Sequence, residues 1–268
     1  MFEAFYGFTT TPFSRQIAPE NLFPSAQVKE TLARLNYLVR TRGFGLLTGE
    51  VGAGKSTAVR ALTHELDPAR YRVLYVSQSG LTPRHLYREL CIQMGLKPPF
   101  HAADARRQLT EAIWDAYKNH DKQPVIIIDE GHLLSAAMLE EIRFLTNFQM
   151  DAASPMALIL VGQTELRHRL RLQTFEAIAQ RVNLRFHLTG LSAQETKAYI
   201  QHHLQVAGVK HALFSDEAIA VIYHFSKGIP RKINNICTAC LLDGFLQEKP
   251  VIDEATARRA LGEFEDDS

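Results

Sequence analysis

The chain has 268 residues, 46% of them hydrophobic, enough for one large or two modest cores, and this places it among soluble globular proteins. Thirty Lys+Arg against 29 Asp+Glu leave a formal net charge of +1, so no global basic excess announces a polyanionic partner and any such surface has to be local. No apolar run approaches the roughly 20 residues of a bilayer-spanning helix. The start, Met1-Phe2-Glu3-Ala4-Phe5-Tyr6, has no secretory leader pattern, and three cysteines cannot form a disulfide framework, so the expected location is the cytoplasm.

Residues 1–43 are expected to form an N-terminal arm and helix packed on a core. The arm is aromatic (Phe2, Phe5, Tyr6, Phe8, Phe13, Phe23), Pro12 and Pro24 interrupt it, and Val28, Leu32, Leu35 and Val39 share one face of a helix over 28–40. It reads either as plain packing or as an apolar wall for a base, because it leads directly into a phosphate-binding motif.

That motif is Gly49-Glu50-Val51-Gly52-Ala53-Gly54-Lys55-Ser56, which matches G-x-x-x-x-G-K-[ST] at every fixed position between an apolar strand (Phe44, Leu46, Leu47) and a helical run from Thr57. A loop that wraps a triphosphate needs backbone N–H groups turned inward, which residues without a Cβ permit. Lys55 supplies a cation for the β- and γ-phosphates, Ser56 a hydroxyl for Mg²⁺, and the helix N-terminus a favourable dipole.

A strand over 72–76 and helices over 81–94 and 105–117 follow. Next comes Pro124-Val125-Ile126-Ile127-Ile128-Asp129-Glu130, a β-branched run without polar alternation that ends in two carboxylates. Such a strand is buried on both faces of a parallel sheet, whose C-terminal ends are where ligands bind. Asp129 is the expected Mg²⁺ partner, and Glu130 is placed to polarise an attacking water. A small-molecule kinase needs no such second acid, so the pair favours hydrolysis.

A helix over 135–148 and a strand over 157–161 lead to Gln163, a polar tip suited to sensing the γ-phosphate or the water. Of the arginines between Leu166 and Arg185, Arg181 stands apart by directly preceding a strand-like 182–188. Beyond Leu191 the pattern is helical. Ser192 to Glu195 reads as a capping box, His202-His203 as surface histidines, and Cys237-x-x-Cys240 as two helix-packing cysteines, since no further metal ligands stand at a recognisable spacing.

Taken in order, Gly49 to Ser56, Asp129-Glu130, Gln163, Arg181 and Gly228-Ile229-Pro230-Arg231 resemble an AAA+ ATPase. Asp129-Glu130, Leu139 to Asn147, Val161 to Leu166, Gln180-Arg181-Val182 and Gly228 to Arg231 resemble, more narrowly, the ExeA-type ATPases. That group is related to the MuB- and TnsC-type target selectors of transposons and has secretion-associated and transposon-associated members. The resemblance implies an α/β P-loop core, a parallel β-sheet flanked by helices, over 44–189 and a small all-helical lid over 190–268. The implied ligands are ATP, held by 49–57 (Gly49, Glu50, Val51, Gly52, Ala53, Gly54, Lys55, Ser56 and Thr57) and by Arg231 at the sensor-2 position, and Mg²⁺ at Ser56 and Asp129. The implied catalytic set is Glu130, Lys55, Gln163 and Arg181, the last as an arginine finger reaching a neighbouring subunit. Gly131-His132, where Ala-Gln is common, and Thr164, where proline is frequent, depart from the family.

For the work coupled to hydrolysis, the expectation is regulation of transposition: a homo-oligomer, ring or helical filament, on double-stranded DNA that recruits a DDE-type transposase and has no membrane partner. Its support is that secretion-associated relatives continue past the lid into a membrane span and an envelope-facing domain, whereas this sequence stops there. Arg84 and Arg88, on the helix after the second strand, are the candidate phosphate-backbone contacts; the competing reading of both is a solvated face. The alternatives are a secretion or envelope-assembly ATPase, and a nucleotide-gated interaction protein with little turnover.

Overall fold

The computed structural model describes residues 2–14, 17–77, 80–119, 122–148 and 152–265. In chain order the elements are α1 (Phe2–Tyr6), α2 (Ala26–Arg40), β1 (Phe44–Gly49), α3 (Lys55–Glu65), β2 (Tyr71–Val76), α4 (Pro83–Gln93), α5 (Ala102–Lys118), β3 (Gln123–Ile128), α6 (Ala136–Leu145), β4 (Ala157–Gly162), α7 (Thr164–Arg169), α8 (Glu176–Ala179), β5 (Leu184–Leu188), α9 (Ala193–Val206), α10 (Asp216–Ser226), α11 (Pro230–Leu246) and α12 (Glu254–Glu265). They form two compact units, one of residues 27–51 and 55–188, the other of residues 1–26, 52–54 and 189–268.

The first unit is a five-stranded sheet in the order β2-β3-β4-β1-β5, with every pairing parallel. Parallel strands with helices on both faces lose their polar alternation. Accordingly β1 and β4 are buried at every position and β3 at all but its first, while the edge strands β2 and β5 keep exposed positions. Ile126, Ile128, Leu158 and Leu160 pack with Leu86, Leu90, Leu109, Ile113, Leu139 and Ile142 from α4, α5 and α6. Register then positions the site: Ile128 pairs with Leu160, Thr48 with Gly162, and Gly49 with Leu188. The residues that follow β1, β3 and β4 therefore emerge together at one end of the sheet.

The second unit is helical, with Ile200, Ile222, Ile233, Ile236, Leu241 and Ile252 at its centre. Residues 1–26 belong here, whereas the sequence suggested that all of 1–43 pack on the ATPase core. The reason is apolar area: Tyr6, Phe8 and Phe13 are buried in this helical core, and the Tyr6 hydroxyl donates to the Lys249 carbonyl. Of residues 1–43, those from Gln27 onward lie in the sheet unit, where α2 buries Thr31, Leu35, Leu38 and Val39. Cys237 and Cys240 are free thiols in the helical core, and burial pushes the Cys240 thiol up to about 12. The reading of His202-His203 as surface residues is corrected. His203 is buried at 5% exposure, stacked on Phe13 (ring centroids 5.4 Å) and against Tyr199 (4.4 Å), and burial lowers its pKa to about 4. α9 carries the capping box, with the Ser192 side chain accepting from Glu195 N–H and the Glu195 carboxylate accepting from Ser192 N–H.

Candidate nucleotide site

β1 ends at Gly49 and α3 begins at Lys55, so 50–54 form the loop between strand and helix. Gly52 and Gly54 hold φ of +83° and +99°, a region in which only a residue without a Cβ is unstrained. The Lys55 ammonium donates to the carbonyls of Gly49 (2.9 Å) and Glu50 (2.8 Å), which bends the side chain back across the loop. Ser56 and Thr57 follow in the first turn of α3. Within the helical unit, Arg231 stands at the start of α11 against the same loop: its backbone N–H donates to the Gly52 carbonyl at 3.3 Å, and a Cβ on Gly52 would lie 2.6 Å from that of Arg231. Gly228, at φ +74°, makes this approach possible; a side chain there would collide with the Leu191 carbonyl at 1.9 Å, and Pro230 then opens α11 in its first turn.

At the end of β3, Asp129 is 5% exposed, with one hydrogen bond to each carboxylate oxygen. Its Oδ2 accepts from the Tyr75 hydroxyl at 2.8 Å and its Oδ1 from the Glu130 N–H at 2.8 Å. Burial, and next the bond to Asp129, raise the Tyr75 pKa, so the phenol stays a donor. Glu130 takes left-handed backbone angles (φ 54°, ψ 32°), a strained geometry for a residue with a side chain and one that clusters at functional sites. Its carboxylate is 45% exposed and lies 3.5 Å from His132 Nδ1. That nitrogen also accepts from the Gln163 N–H at 3.4 Å, and the His132 carbonyl accepts from the Arg169 guanidinium at 2.8 Å. His132 therefore joins the loops after β3 and β4. The glycine of Gly131-His132 has a packing reason, because a Cβ there would come within 2.8 Å of Leu160 Cδ1 and 3.0 Å of the Val161 carbonyl.

Three residues in this neighbourhood escaped the sequence reading. Tyr75 sits on the edge strand next to β3, and only the β2–β3 register, Tyr75 opposite Ile127, brings its ring within reach of Asp129. His132 looked like a family departure. His187, at the end of β5, bonds the Thr48 hydroxyl at 2.9 Å; burial first, then the nearby Arg167, depress its pKa, with Glu50 and Lys55 also acting on it.

Arg181 lies elsewhere. It precedes β5, and its Nη1 donates to the Thr146 hydroxyl (3.2 Å) and the Arg143 carbonyl (3.3 Å) at the C-terminal turn of α6. With Arg42, Phe44, Met156, Leu158 and Asn183 it lines a cavity of about 260 Å³ at the strand starts, the opposite end of the sheet from the loop.

These residues fit a magnesium nucleotide. Two positive-φ glycines opening into a helix N-terminus suit phosphate oxygens, and each Asp129 oxygen, with one hydrogen bond shown, keeps a lone pair for a cation or its water. Together with the sheet order, they define a P-loop nucleotide hydrolase.

Residues 39–170 match the family described as the AAA domain. Over 253 residues, 91% of this chain and 45% of the relative, the sequence is 36% identical to General secretion pathway protein A of Aeromonas hydrophila, so it spans less than half of that protein. Among solved structures it is similar to Drosophila ORC bound to DNA (TM-score 0.74, 16% identity, 98% of this chain and 65% of that one). It is also similar to Cdc6p from Pyrobaculum aerophilum (0.69, 16%, 94% and 70%) and the Thermotoga maritima RuvB branch migration motor (0.60, 19%, 90% and 69%). At such identities the likeness is one of fold. Residues 39–170 thus carry an AAA domain of the P-loop ATPase type, capable of ATP hydrolysis, and the chain is related to the AAA+ ATPases.

The secretion relative overturns the transposition reading, and with it duplex DNA and a DDE-type transposase as partners and the exclusion of a membrane partner. That reading leaned on where the sequence stops, which carries no weight for a chain spanning 45% of its relative. Nor do Arg84 and Arg88 form a phosphate-tracking stripe of demonstrated purpose. Both are exposed on α4, and the Arg84 guanidinium lies over the Phe100 ring at 4.3 Å, a cation–π contact. Among the described residues no helix is long and apolar enough to cross a membrane, and no group of three His, Cys, Asp or Glu is placed to hold a metal.

Proposed function

We propose that this chain is the nucleotide-hydrolysing part of an ExeA-like secretion or envelope-assembly ATPase and that it works as a homo-oligomer. The observation that carries this reading is the 36% identity to a general secretion pathway protein along 91% of the chain, a stretch that includes the whole site.

In this reading residues 49–57 hold the triphosphate, Lys55 leaves the Gly49 and Glu50 carbonyls for the β- and γ-phosphates, and Arg231 contacts the nucleotide from α11. Mg²⁺ at Ser56 and Asp129 supplies neutralisation of phosphate charge. Glu130 orients the attacking water and accepts its proton, with His132 3.5 Å away as its neighbour, and Gln163 senses the γ-phosphate or the water. Arg181 completes the site of a neighbouring subunit. Its position at the strand starts supports that assignment, because a parallel sheet keeps its own nucleotide residues at the strand ends.

A chimera tests the assignment. Replacing the matching 45% of the Aeromonas protein with this chain, in cells lacking the native copy, is expected to restore secretion, and the same chimera carrying Lys55→Ala is expected to fail. A stable chimera that hydrolyses ATP without supporting secretion would remove the proposal.

A further inference from the structure

We infer that Tyr75 is a positioning residue that holds the Asp129 carboxylate for Mg²⁺, and that Gln93 of α4 fixes Tyr75 for this task. The inference rests on the reading of Asp129 as the magnesium carboxylate.

The geometry begins at the sheet edge. β2 pairs with β3 on one side only, so the N–H and C=O of Tyr75 face outward, and an open edge of this kind is ordinarily covered or charged. Here one side-chain amide closes it. Gln93 Oε1 accepts from the Tyr75 N–H at 2.8 Å, Gln93 Nε2 donates to the Tyr75 carbonyl at 2.9 Å, and the same Nε2 donates to the Glu89 carboxylate at 2.7 Å. The tyrosine backbone is thereby tied to α4, and its ring extends along the sheet to deliver a hydroxyl to Asp129 Oδ2 at 2.8 Å.

The phenol matters because of what else holds the carboxylate. The other bond shown to Asp129 comes from the adjacent Glu130 N–H, to Oδ1, and a bond to the next residue alone leaves the carboxyl group free to swing about its own axis. At 5% exposure, solvent is a poor substitute for the lost donor. Outer partners of metal-bound carboxylates orient them, and their loss typically weakens metal affinity roughly 10- to 100-fold. Tyr75, itself 43% exposed, is not needed to fill the core, so Tyr75→Phe removes the hydroxyl and keeps the ring.

The test is a magnesium titration on the whole chain. Tyr75→Phe is expected to raise about tenfold the free Mg²⁺ needed both for half-maximal ATP turnover and for half-maximal binding of a fluorescent ATP analogue. Affinity for the analogue in EDTA should be unchanged. Gln93→Met, which removes the clamp but not the hydroxyl, is expected to shift Mg²⁺ dependence the same way by about threefold. Unchanged or tighter Mg²⁺ dependence in Tyr75→Phe overturns the inference, and so does a parallel loss of nucleotide affinity in EDTA, which would make Tyr75 structural. Asp129→Asn separates the two levels: if it abolishes Mg²⁺ dependence while Tyr75→Phe does nothing, Asp129 stands and the positioning role falls. If Asp129→Asn itself leaves Mg²⁺ dependence intact, the magnesium reading and the inference built on it both fall.

Discussion

In the sheet unit, the candidate nucleotide residues gather at one end: Lys55, Asp129, Glu130 and Gln163 all follow central, buried strands. In the helical unit polar side chains are spread through the packing. His203 sits between Phe13 and Tyr199, the Tyr199 hydroxyl donates to Asn234, and the capping serines Ser192 and Ser215 close helix starts. The difference follows from geometry. A parallel sheet covered on both faces has no room for polar side chains except beyond its strands, so chemistry concentrates there. A helix presents a new direction with every residue, so its polar groups find local partners and mark caps and contacts.

Chemistry confined to the sheet unit should therefore be removable without loss of fold. Glu130→Gln is expected to lower steady-state turnover at least about 100-fold, the scale of a lost general base, while equilibrium ATP binding and the thermal midpoint are retained. A variant that turns over at even a tenth of the parent rate would mean that Glu130 is not the base.

The helical unit should answer to pH instead. His203 has a folded pKa near 4 against an ordinary value of 6.5 because burial disfavours its charged form. The unfolded chain thus takes up the proton first, and the stabilisation present above pH 6.5 is lost as pH falls toward 4, by up to about 3 kcal/mol. Urea unfolding between pH 7.5 and 5, where most carboxylates remain ionised, should show this decline, and His203→Phe should lessen it, leaving the part that belongs to His187, whose pKa burial also lowers. An equal decline in both proteins would place the titration elsewhere.

The same contrast explains what could be read in advance. Val125 to Ile128 and Ala157 to Val161 are continuous apolar runs that announce central parallel strands, and the residues after them announce the site; the strands lie over 123–128 and 157–162. Tyr75 and His132 were opaque because their partners depend on strand register and on one backbone geometry, φ 54° at Glu130. The aromatic arm is legible as buried but not as to its partner, because apolar side chains specify burial without specifying against what; Tyr6, Phe8 and Phe13 lie in the helical core. A partner is not legible for a related reason. Nucleotide residues follow a fixed motif, whereas a partner is recognised by surface residues with no common spacing, and exposure alone does not mark Arg84 and Arg88 on α4 as such residues.

Under the proposed function, a site built at one end of the sheet is completed by Arg181 from the opposite end of a second copy. Arg181→Ala and Lys55→Ala should each be inactive alone, one lacking the finger and the other the phosphate lysine. We expect their mixture to recover ATP turnover, because Lys55→Ala subunits offer an intact Arg181 to the intact loops of Arg181→Ala subunits, with recovery following the mixing ratio. A mixture as inactive as either parent, in samples verified to exchange subunits, would contradict completion of the site by a neighbour.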